Sequence, residues 1–208
     1  MSKQAIIFDF DGTLANTAHL IQKIYNQMAI ENGWPVMSSK DYLRLRKGTL
    51  VQALKWSGIH TCQLPFLLRE GWGRFFKEAA EIKLFTGMDK VIIQLSEAGF
   101  DLYILSLNSE KSVNIVLLGA GLRDYLTILP RASLRGKHRN IKKFLKKYSY
   151  QPDKVWMVGD ELRDIEASKK AGIHSVAVTW GLQDKKLLSS AAPDVVADNP
   201  NDILRELC

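Results

Sequence analysis

Four short, continuous apolar runs alternate with helical patterns, and this alternation constrains the fold of the chain most strongly. The runs are AIIFDF (5–10), DLYILSL (101–107), KVWMVGD (154–160) and HSVAVTW (174–180). Helical periodicity separates them in the segments 87–99, 109–121 and 162–172. Strands that are apolar on both faces are typical of parallel sheets covered by helices. The pattern therefore predicts an α/β protein with a doubly wound parallel sheet, to which residues 127–130 and 193–198 add short strands.

Residues 15–80 interrupt the alternation, because helical patterns follow one another there without a strand. The patterns cover residues 17–33, 38–46, 48–58 and 64–82. Ligands of open α/β sheets bind at the carboxyl ends of the strands, and an insert after the first strand can cover that edge. We therefore predict a core domain of residues 1–14 and 81–208 and a small all-helical cap of residues 15–80.

The chain is basic, with 29 Lys and Arg against 22 Asp and Glu, a formal net charge of +7. Much of the excess lies in LRGKHRNIKKFLKKY (134–148), whose apolar residues are spaced as in an amphipathic helix with a basic outer face. No aromatic platform or nucleic-acid motif accompanies this segment. A solvated surface is therefore the preferred interpretation, and nucleic acid is not an expected partner.

The cysteine content and the lengths of the apolar runs bear on where in the cell the protein is located, and they favour the cytoplasm. Only Cys62 and Cys208 occur, which excludes a disulfide framework and offers no metal-binding spacing. No apolar run approaches the roughly 20 residues of a membrane span, and the N-terminus lacks a signal-peptide pattern. We predict a cytoplasmic protein without a membrane partner.

Asp9 and Asp11 end the first apolar run and are followed at once by Gly12. Side chains two positions apart on a strand point to the same side. Two carboxylates about 4 Å apart repel by about 4 kcal/mol at an effective dielectric constant of ~20. An Asp-Gly pair is also an ordinary turn signal, so the alternatives are a solvated turn and a pair of carboxylates that holds a cation.

The stretch IIFDFDGTLANT (6–17) resembles the first motif of the haloacid dehalogenase-type (HAD) hydrolases in its phosphatase form. The resemblance implies that Asp9 attacks phosphorus to form an aspartyl-phosphate. It also implies that Asp11 protonates the leaving oxygen and then activates water, while its backbone carbonyl binds Mg²⁺. A carboxylate nucleophile divides one difficult displacement into two easier ones, and a metal neutralises charge on the reacting oxygens.

The second and fourth motifs follow in the order of the family. DLYILSLNSE (101–110) resembles the second, which implies phosphate binding by Ser106 and Asn108, although the family commonly has Asn directly after the hydroxyl residue. VWMVGDELRDIEASKKAGI (155–173) resembles the fourth, which implies that Asp160 binds Mg²⁺ directly and that Asp164 supports it. The helix dipole alone would explain an acidic residue at position 164, but not Asp160 after an apolar strand.

The third motif of the family is a lysine that contacts both the nucleophile and the phosphate. Lys137, Lys142 and Lys143 are candidates in the basic segment. Lys137 has the spacing closest to that of the family and is preferred over Lys142, although His138 stands where a proline usually follows.

The resemblance covers residues 4–17 and 81–182 and implies a Rossmann-like HAD core with a C1 cap, as in the phosphoglycolate phosphatase-like branch. It implies Mg²⁺-dependent hydrolysis of a small phosphorylated metabolite. Both a monomer and a homodimer stay open. In the cap, Arg44, Arg46 and Lys47 are candidates for contacting an anionic substrate, and an exposed charged turn is the alternative.

Other functions share part of this pattern. Asp11 argues against a dehalogenase, which lacks a second aspartate, and against a cation-pumping ATPase, which has threonine there. A β-phosphoglucomutase-like phosphotransferase shares all four motifs and stays open. So does a non-catalytic protein that binds a partner through its basic surface.

Overall fold

A parallel sheet forms the centre of the computed structural model, which describes residues 3–48, 52, 59–133 and 136–208. The strands are β1 (Gln4–Phe8), β2 (Phe100–Ile104), β3 (Leu126–Ile128), β4 (Val155–Gly159), β5 (His174–Val178) and β6 (Val195–Ala197). They lie in the order β3-β2-β1-β4-β5-β6, and every neighbouring pair is parallel. This confirms the predicted doubly wound, Rossmann-like α/β fold. The chain order reverses between β1 and β4, where such sheets bind ligands.

Nine α-helices are complete in the described part of the chain; some cover the two faces of the sheet, and others lie in the segment predicted to form the cap. They are α1 (Ala18–Asn32), α2 (Ser39–Arg46), α3 (Leu64–Glu78), α4 (Met88–Glu97), α5 (Glu110–Gly119), α6 (Lys137–Tyr148), α7 (Leu162–Ala171), α8 (Lys185–Ser190) and α9 (Pro200–Leu207). Strand β1 is central because Ile6 and Phe8 pack with α4, α5 and α9, whereas Ala5 and Ile7 pack with α6 and α7. Its continuous apolar sequence is explained by this burial on both faces.

Helices α1, α2 and α3 lie in the segment predicted to form the cap, where α1 packs against α3. The chain leaves and rejoins the core through two paired segments, since Asn16 N donates to Lys83 O and Phe85 N donates to Leu14 O, both at 2.9 Å. Most of the predicted helical pattern 48–58 lies outside the described residues. The division at residues 15 and 80 therefore stays a prediction, supported by the pairing of the two connecting segments.

Helix α6 is amphipathic, as its sequence predicts. Ile141 and Phe144 are buried against the sheet, whereas Lys142 and Lys143 are exposed. Lys137, the first residue of the helix, differs from the other lysines because it is only 6% exposed. None of the helices in the described part of the chain is long and apolar enough to cross a membrane.

Candidate active site

The side chains singled out in the sequence come together at the carboxyl edge of the sheet. Asp9 and Asp11 follow β1, Ser106 and Asn108 follow β2, and Asp160 follows β4. Lys137 begins α6 and Asp164 lies in the first turn of α7, so two helix N-termini complete the group. Because neighbouring parallel strands end at the same edge, residues far apart in sequence meet there.

Asp9, Asp160 and Asp164 form a buried carboxylate cluster in which one oxygen of each residue lies within 4.8 Å of the others. Lys137 Nζ lies 2.8 Å from Asp9 Oδ2 and 2.5 Å from Asp164 Oδ1. Asp9 also accepts a hydrogen bond of 2.7 Å from Phe10 N. The lysine therefore balances part of the charge and fixes the orientation of Asp9. It is Lys137, and not the exposed Lys142, that the fold places beside Asp9.

Asp11 points toward the end of β2 and contacts the residues of the second motif. Asn108 Nδ2 donates to both carboxylate oxygens of Asp11 at 3.3 Å, and Ser106 Oγ lies 3.5 Å from Asp11 Oδ2. Ser106 Oγ also accepts from Asn108 N at 2.9 Å. Although Leu107 separates them, Ser106 and Asn108 thus reach the same carboxylate. Ser109 has a different role, because its hydroxyl accepts a hydrogen bond from Ser112 N and caps the N-terminus of α5.

Burial and mutual repulsion change the acidity of these groups. Burial, with a further contribution from the charge of Asp9, raises the pKa of Asp11 to about 6. Burial also raises the pKa of Asp160 well above its ordinary value, and the charges of Glu161 and Asp9 add to this. Burial by itself would lower the pKa of Lys137, but Asp164 and Asp9 raise it overall. The lysine therefore stays charged, while Asp11 has the acidity of a group that can give and accept a proton near neutral pH.

The donor set fits a hard divalent cation. Among the described residues, the acidic side chains of the site outnumber its two basic side chains, Lys137 and Arg163. The acidic side chains are Asp9, Asp11, Asp160, Glu161 and Asp164. Oxygen donors from several carboxylates are the ligands that Mg²⁺ prefers. A bound divalent cation would offset the remaining negative charge and hold Asp160 in its ionised form.

Glycines surround this cluster closely. A Cβ added at Gly12, whose φ of +78° is in the left-handed region, would lie 2.2 Å from Asp160 Oδ2. Equivalent atoms at Gly159 and Gly181 would lie 2.3 Å from atoms of Asp164 and Asp160. Gly12 therefore serves both the turn after β1 and the close approach of the backbone to Asp160.

Several residues of the site were not assigned from the sequence. Thr13 Oγ1 donates to Asp160 Oδ1 at 2.8 Å, and Leu182 N donates to Asp160 Oδ2 at 2.7 Å. Arg163 Nη2 donates to Glu161 Oε1 at 2.5 Å and interacts with the carboxylates of the cluster. Thr13 belongs to the quoted first motif, whereas the loop that carries Leu182 has no signal in the sequence.

Hydrogen bonds join the C-terminal end of α2 to the loop after β5, and we call these five residues the cap clasp: Arg46, Gly48, Leu182, Gln183 and Asp184. Arg46 Nε donates to Leu182 O at 3.2 Å, Asp184 N donates to Arg46 O at 2.8 Å, and Gln183 Nε2 donates to Gly48 O at 2.9 Å. Gln183 is 4% exposed, and its Oε1 also accepts from Leu162 N at 2.6 Å. The clasp thus connects the cap to the loop after β5, in which Leu182 donates a hydrogen bond to Asp160.

The three basic candidates of the cap lie in different surroundings. Arg46 lines the cavity between cap and core and takes part in the cap clasp. Arg44 is exposed and lies 3.4 Å from Asp41, and Lys47 is exposed. Of the three, the fold brings only Arg46 to the site.

A family model described as haloacid dehalogenase-like hydrolase matches residues 6–178, which include all the motif residues described above. The chain belongs to the haloacid dehalogenase-like hydrolase family. This confirms the family and the hydrolase class predicted from the motifs.

Individual relatives agree with this membership of the HAD family. The chain is 32% identical to a phosphoglycolate phosphatase of Synechococcus elongatus over 203 residues, which cover 97% of this chain and 96% of that protein. It is 25% identical to a pyrophosphatase PpaX of Bacillus mycoides, with coverage of 98% and 96%. A HAD-like hydrolase from Streptococcus pneumoniae shares the fold with a TM-score of 0.84 at 21% identity, over 99% of each chain.

Proposed function

We propose that this HAD hydrolase is a Mg²⁺-dependent phosphatase that cleaves a small phosphorylated metabolite through an aspartyl-phosphate intermediate. The observation that carries the proposal is the position of Asp9, which contacts Lys137 and lies in one cluster with Asp160 and Asp164. A carboxylate held in this way is oriented as a nucleophile, and the surrounding donors suit a metal-assisted phosphoryl transfer.

In the first step, an oxygen of the Asp9 carboxylate forms a bond to phosphorus while the bond from phosphorus to the ester oxygen breaks. Asp11 gives its proton to the departing alcohol, which its raised pKa of about 6 allows. In the second step, an oxygen of water forms a bond to the phosphorus of the aspartyl-phosphate while the bond from phosphorus to the Asp9 oxygen breaks, and the water loses a proton to Asp11. Inorganic phosphate leaves, and Asp9 and Asp11 return to their first states.

Ser106, Asn108 and Lys137 bind the phosphoryl oxygens in this proposal. Their hydroxyl, amide and ammonium donors lie on the side of the site that faces Asp9 and Asp11. Asp9, the carbonyl of Asp11 and Asp160 would hold Mg²⁺ with support from Asp164. The ion would supply charge neutralisation for the nucleophile and the phosphoryl group.

The names of the relatives support a phosphorylated substrate, since they are a phosphoglycolate phosphatase and a pyrophosphatase. The two names specify different phosphate compounds, so they support the reaction more strongly than any one substrate. A cytoplasmic location, a monomeric or dimeric state, and contact of Arg44, Arg46 and Lys47 with an anionic substrate stay predictions.

The test is phosphate release from p-nitrophenyl phosphate with Mg²⁺ and in excess EDTA, with Asp9→Asn and the matched control Asp124→Asn. Asp124 is an exposed aspartate away from the site. We expect Mg²⁺-dependent turnover, loss of turnover in Asp9→Asn and no loss in Asp124→Asn. Full activity in EDTA, or substantial turnover by folded Asp9→Asn, would contradict the proposal. Isomerisation of a hexose phosphate without net phosphate release would show the phosphotransferase instead.

A further inference from the structure

A chamber of about 540 Å³ lies between the cap and the carboxyl edge of the sheet. The end of the chamber nearest the proposed nucleophile is lined by Asp11, Asn108 and Asp160. The chamber is therefore continuous with the proposed phosphate site. Its other walls are mainly apolar and aromatic. They include Ile21, Met28, Leu67, Trp72, Phe75 and Phe85. Cavities of roughly 300–1,000 Å³ with such walls are typical of sites for organic ligands larger than a few atoms.

The charges in the described lining do not favour a second anionic group on the substrate. The basic residues there are Arg46 and Arg163, and the acidic residues are Asp11, Asp160 and Glu161. Arg46 donates to Leu182 O, and Arg163 donates to Glu161 Oε1. Arg163 therefore has an acidic partner, whereas Arg46 uses its Nε to hold the loop after β5. Since a buried charge without a partner is costly, a carboxylate would be poorly placed against the remaining apolar walls.

The aromatic part of the wall is held in place from outside the chamber. The guanidinium carbon of Arg131 lies 3.1 Å from the ring centroid of Trp72, and Arg131 Nε donates to Leu107 O at 2.7 Å. The residue pair Arg131 and Trp72 thus connects α3 of the cap to the loop after β2. Phe85 packs edge-on against Trp180 with 6.3 Å between the ring centroids. These contacts fix two aromatic walls on the cap and core sides.

We propose that the natural substrate is a phosphate monoester of an uncharged, mainly apolar alcohol, whose alkyl or aryl body occupies this chamber. The inference rests on the proposed phosphatase function and narrows its substrate class. It is an alternative to the second anionic group that the sequence predicts from Arg44, Arg46 and Lys47. Its physical basis is the removal of apolar surface from water on both the alcohol and the walls. A short acid such as the glycolate part of phosphoglycolate would leave most of the chamber filled with water.

The first experiment measures kcat/KM with Mg²⁺ for ethyl, butyl and hexyl phosphate and for 2-phosphoglycolate. The basicity of the leaving alcohol is nearly constant along the alkyl series, so the trend reports binding of the body and not chemistry. We expect kcat/KM to rise about fourfold for each added methylene group, the value of burying one such group. A flat series, or a higher kcat/KM for 2-phosphoglycolate than for hexyl phosphate, would overturn the inference.

A matched pair of variants tests the place where the body binds. Ile21 and Ile30 are both exposed residues of α1, at 46% and 74% exposure, but only Ile21 belongs to the described lining of the chamber. In the unmodified protein, kcat/KM should increase from ethyl to hexyl phosphate. Ile21→Arg should make this increase in kcat/KM at least tenfold smaller, whereas Ile30→Arg should leave it unchanged. An unchanged increase in Ile21→Arg would place the body elsewhere and refute the proposal.

Failure of the inference and failure of the proposed function give different results. If p-nitrophenyl phosphate and 2-phosphoglycolate are hydrolysed while the alkyl series is flat, the phosphatase function stands and the apolar substrate class is wrong. If none of the phosphate esters is hydrolysed, both proposals fall.

Discussion

Replacing Lys137 by methionine tests how far a single ammonium group holds the carboxylate cluster together. Lys137 Nζ lies 2.8 Å from Asp9 Oδ2, a separation at which two charges attract by about 6 kcal/mol at an effective dielectric constant of ~20. The cost of desolvating both charges offsets much of this attraction. Removing one partner of a buried ion pair typically lowers stability by about 3–5 kcal/mol, because the other partner stays buried without its counter-charge. We expect a loss of that size for Lys137→Met in metal-free protein.

Lys142→Met is the matched control, because Lys142 is an exposed lysine on the same helix. Urea unfolding followed by circular dichroism in EDTA at pH 8 gives the free energy of unfolding of both variants. Burial raises the pKa of Asp164 and the charge of Lys137 lowers it, so Asp164 in Lys137→Met should accept a proton at a higher pH than in the unmodified protein. The difference in the free energy of unfolding between Lys137→Met and Lys142→Met should therefore become smaller from pH 8 to pH 5.

Two results would refute this reasoning. One is a free energy of unfolding for Lys137→Met that equals that of Lys142→Met, which would mean that the buried ion pairs contribute nothing. The other is a deficit that does not depend on pH, which would indicate lost packing and not uncompensated charge. Adding Mg²⁺ should restore part of the stability, since a ligand that binds only the folded state stabilises it.

Three further predictions concern the metal, the acid–base group and the cap. Because the raised pKa of Asp11 makes its ionisation unfavourable in the folded state, metal-free protein should lose stability as pH rises from about 4 to above 6. Asp160 and Asp164, whose pKa values burial also raises, contribute to the same loss, so Asp11→Asn should reduce it and raise the free energy of unfolding at pH 7 by about 1–3 kcal/mol, measured by urea titration. Ca²⁺ should inhibit the Mg²⁺-dependent reaction, because its longer bonds of roughly 2.3–2.6 Å displace Asp9 from in-line attack, and activity unaffected by Ca²⁺ would oppose this. Arg46→Gln should reduce kcat/KM more than Arg44→Gln, because only Arg46 joins the cap clasp; equal effects would mean that the clasp is irrelevant to catalysis.

Much of the fold and of the site follows from local features of the sequence. The strands are visible because they are apolar on both faces, and each motif residue stands directly after a strand or at the start of a helix. In a parallel sheet these positions meet at one edge, so Asp9 and Asp160 could be placed together without knowing their contacts. The choice of Lys137 over Lys142 also followed from spacing, although its contact with Asp164 needed the fold.

Other features depend on contacts between distant segments and have no local signal. Leu182 and Gln183 reach the site by backbone and amide hydrogen bonds, which almost any residue type can make at Leu182. Helices α8 and α9 lie beyond the recognised motifs and were not predicted from the sequence. Arg44 and Arg46 are two positions apart and therefore point to different sides of α2, but the sequence does not show which side faces the core.

The cap clasp has a thermodynamic consequence for the whole enzyme. Gln183 contacts Gly48 in the cap and Leu162 at the start of α7, while its neighbour Leu182 contacts Asp160. One loop therefore contacts both the cap and Asp160, the residue proposed to bind Mg²⁺. If Mg²⁺ binding stabilises the clasp, linkage requires that the clasp strengthens Mg²⁺ binding by the same free energy. Mg²⁺ alone should then slow amide hydrogen exchange in α2, although no residue of α2 lies in the carboxylate cluster. Reciprocally, a substrate that holds the cap closed should lower the concentration of Mg²⁺ at which the enzyme is half saturated.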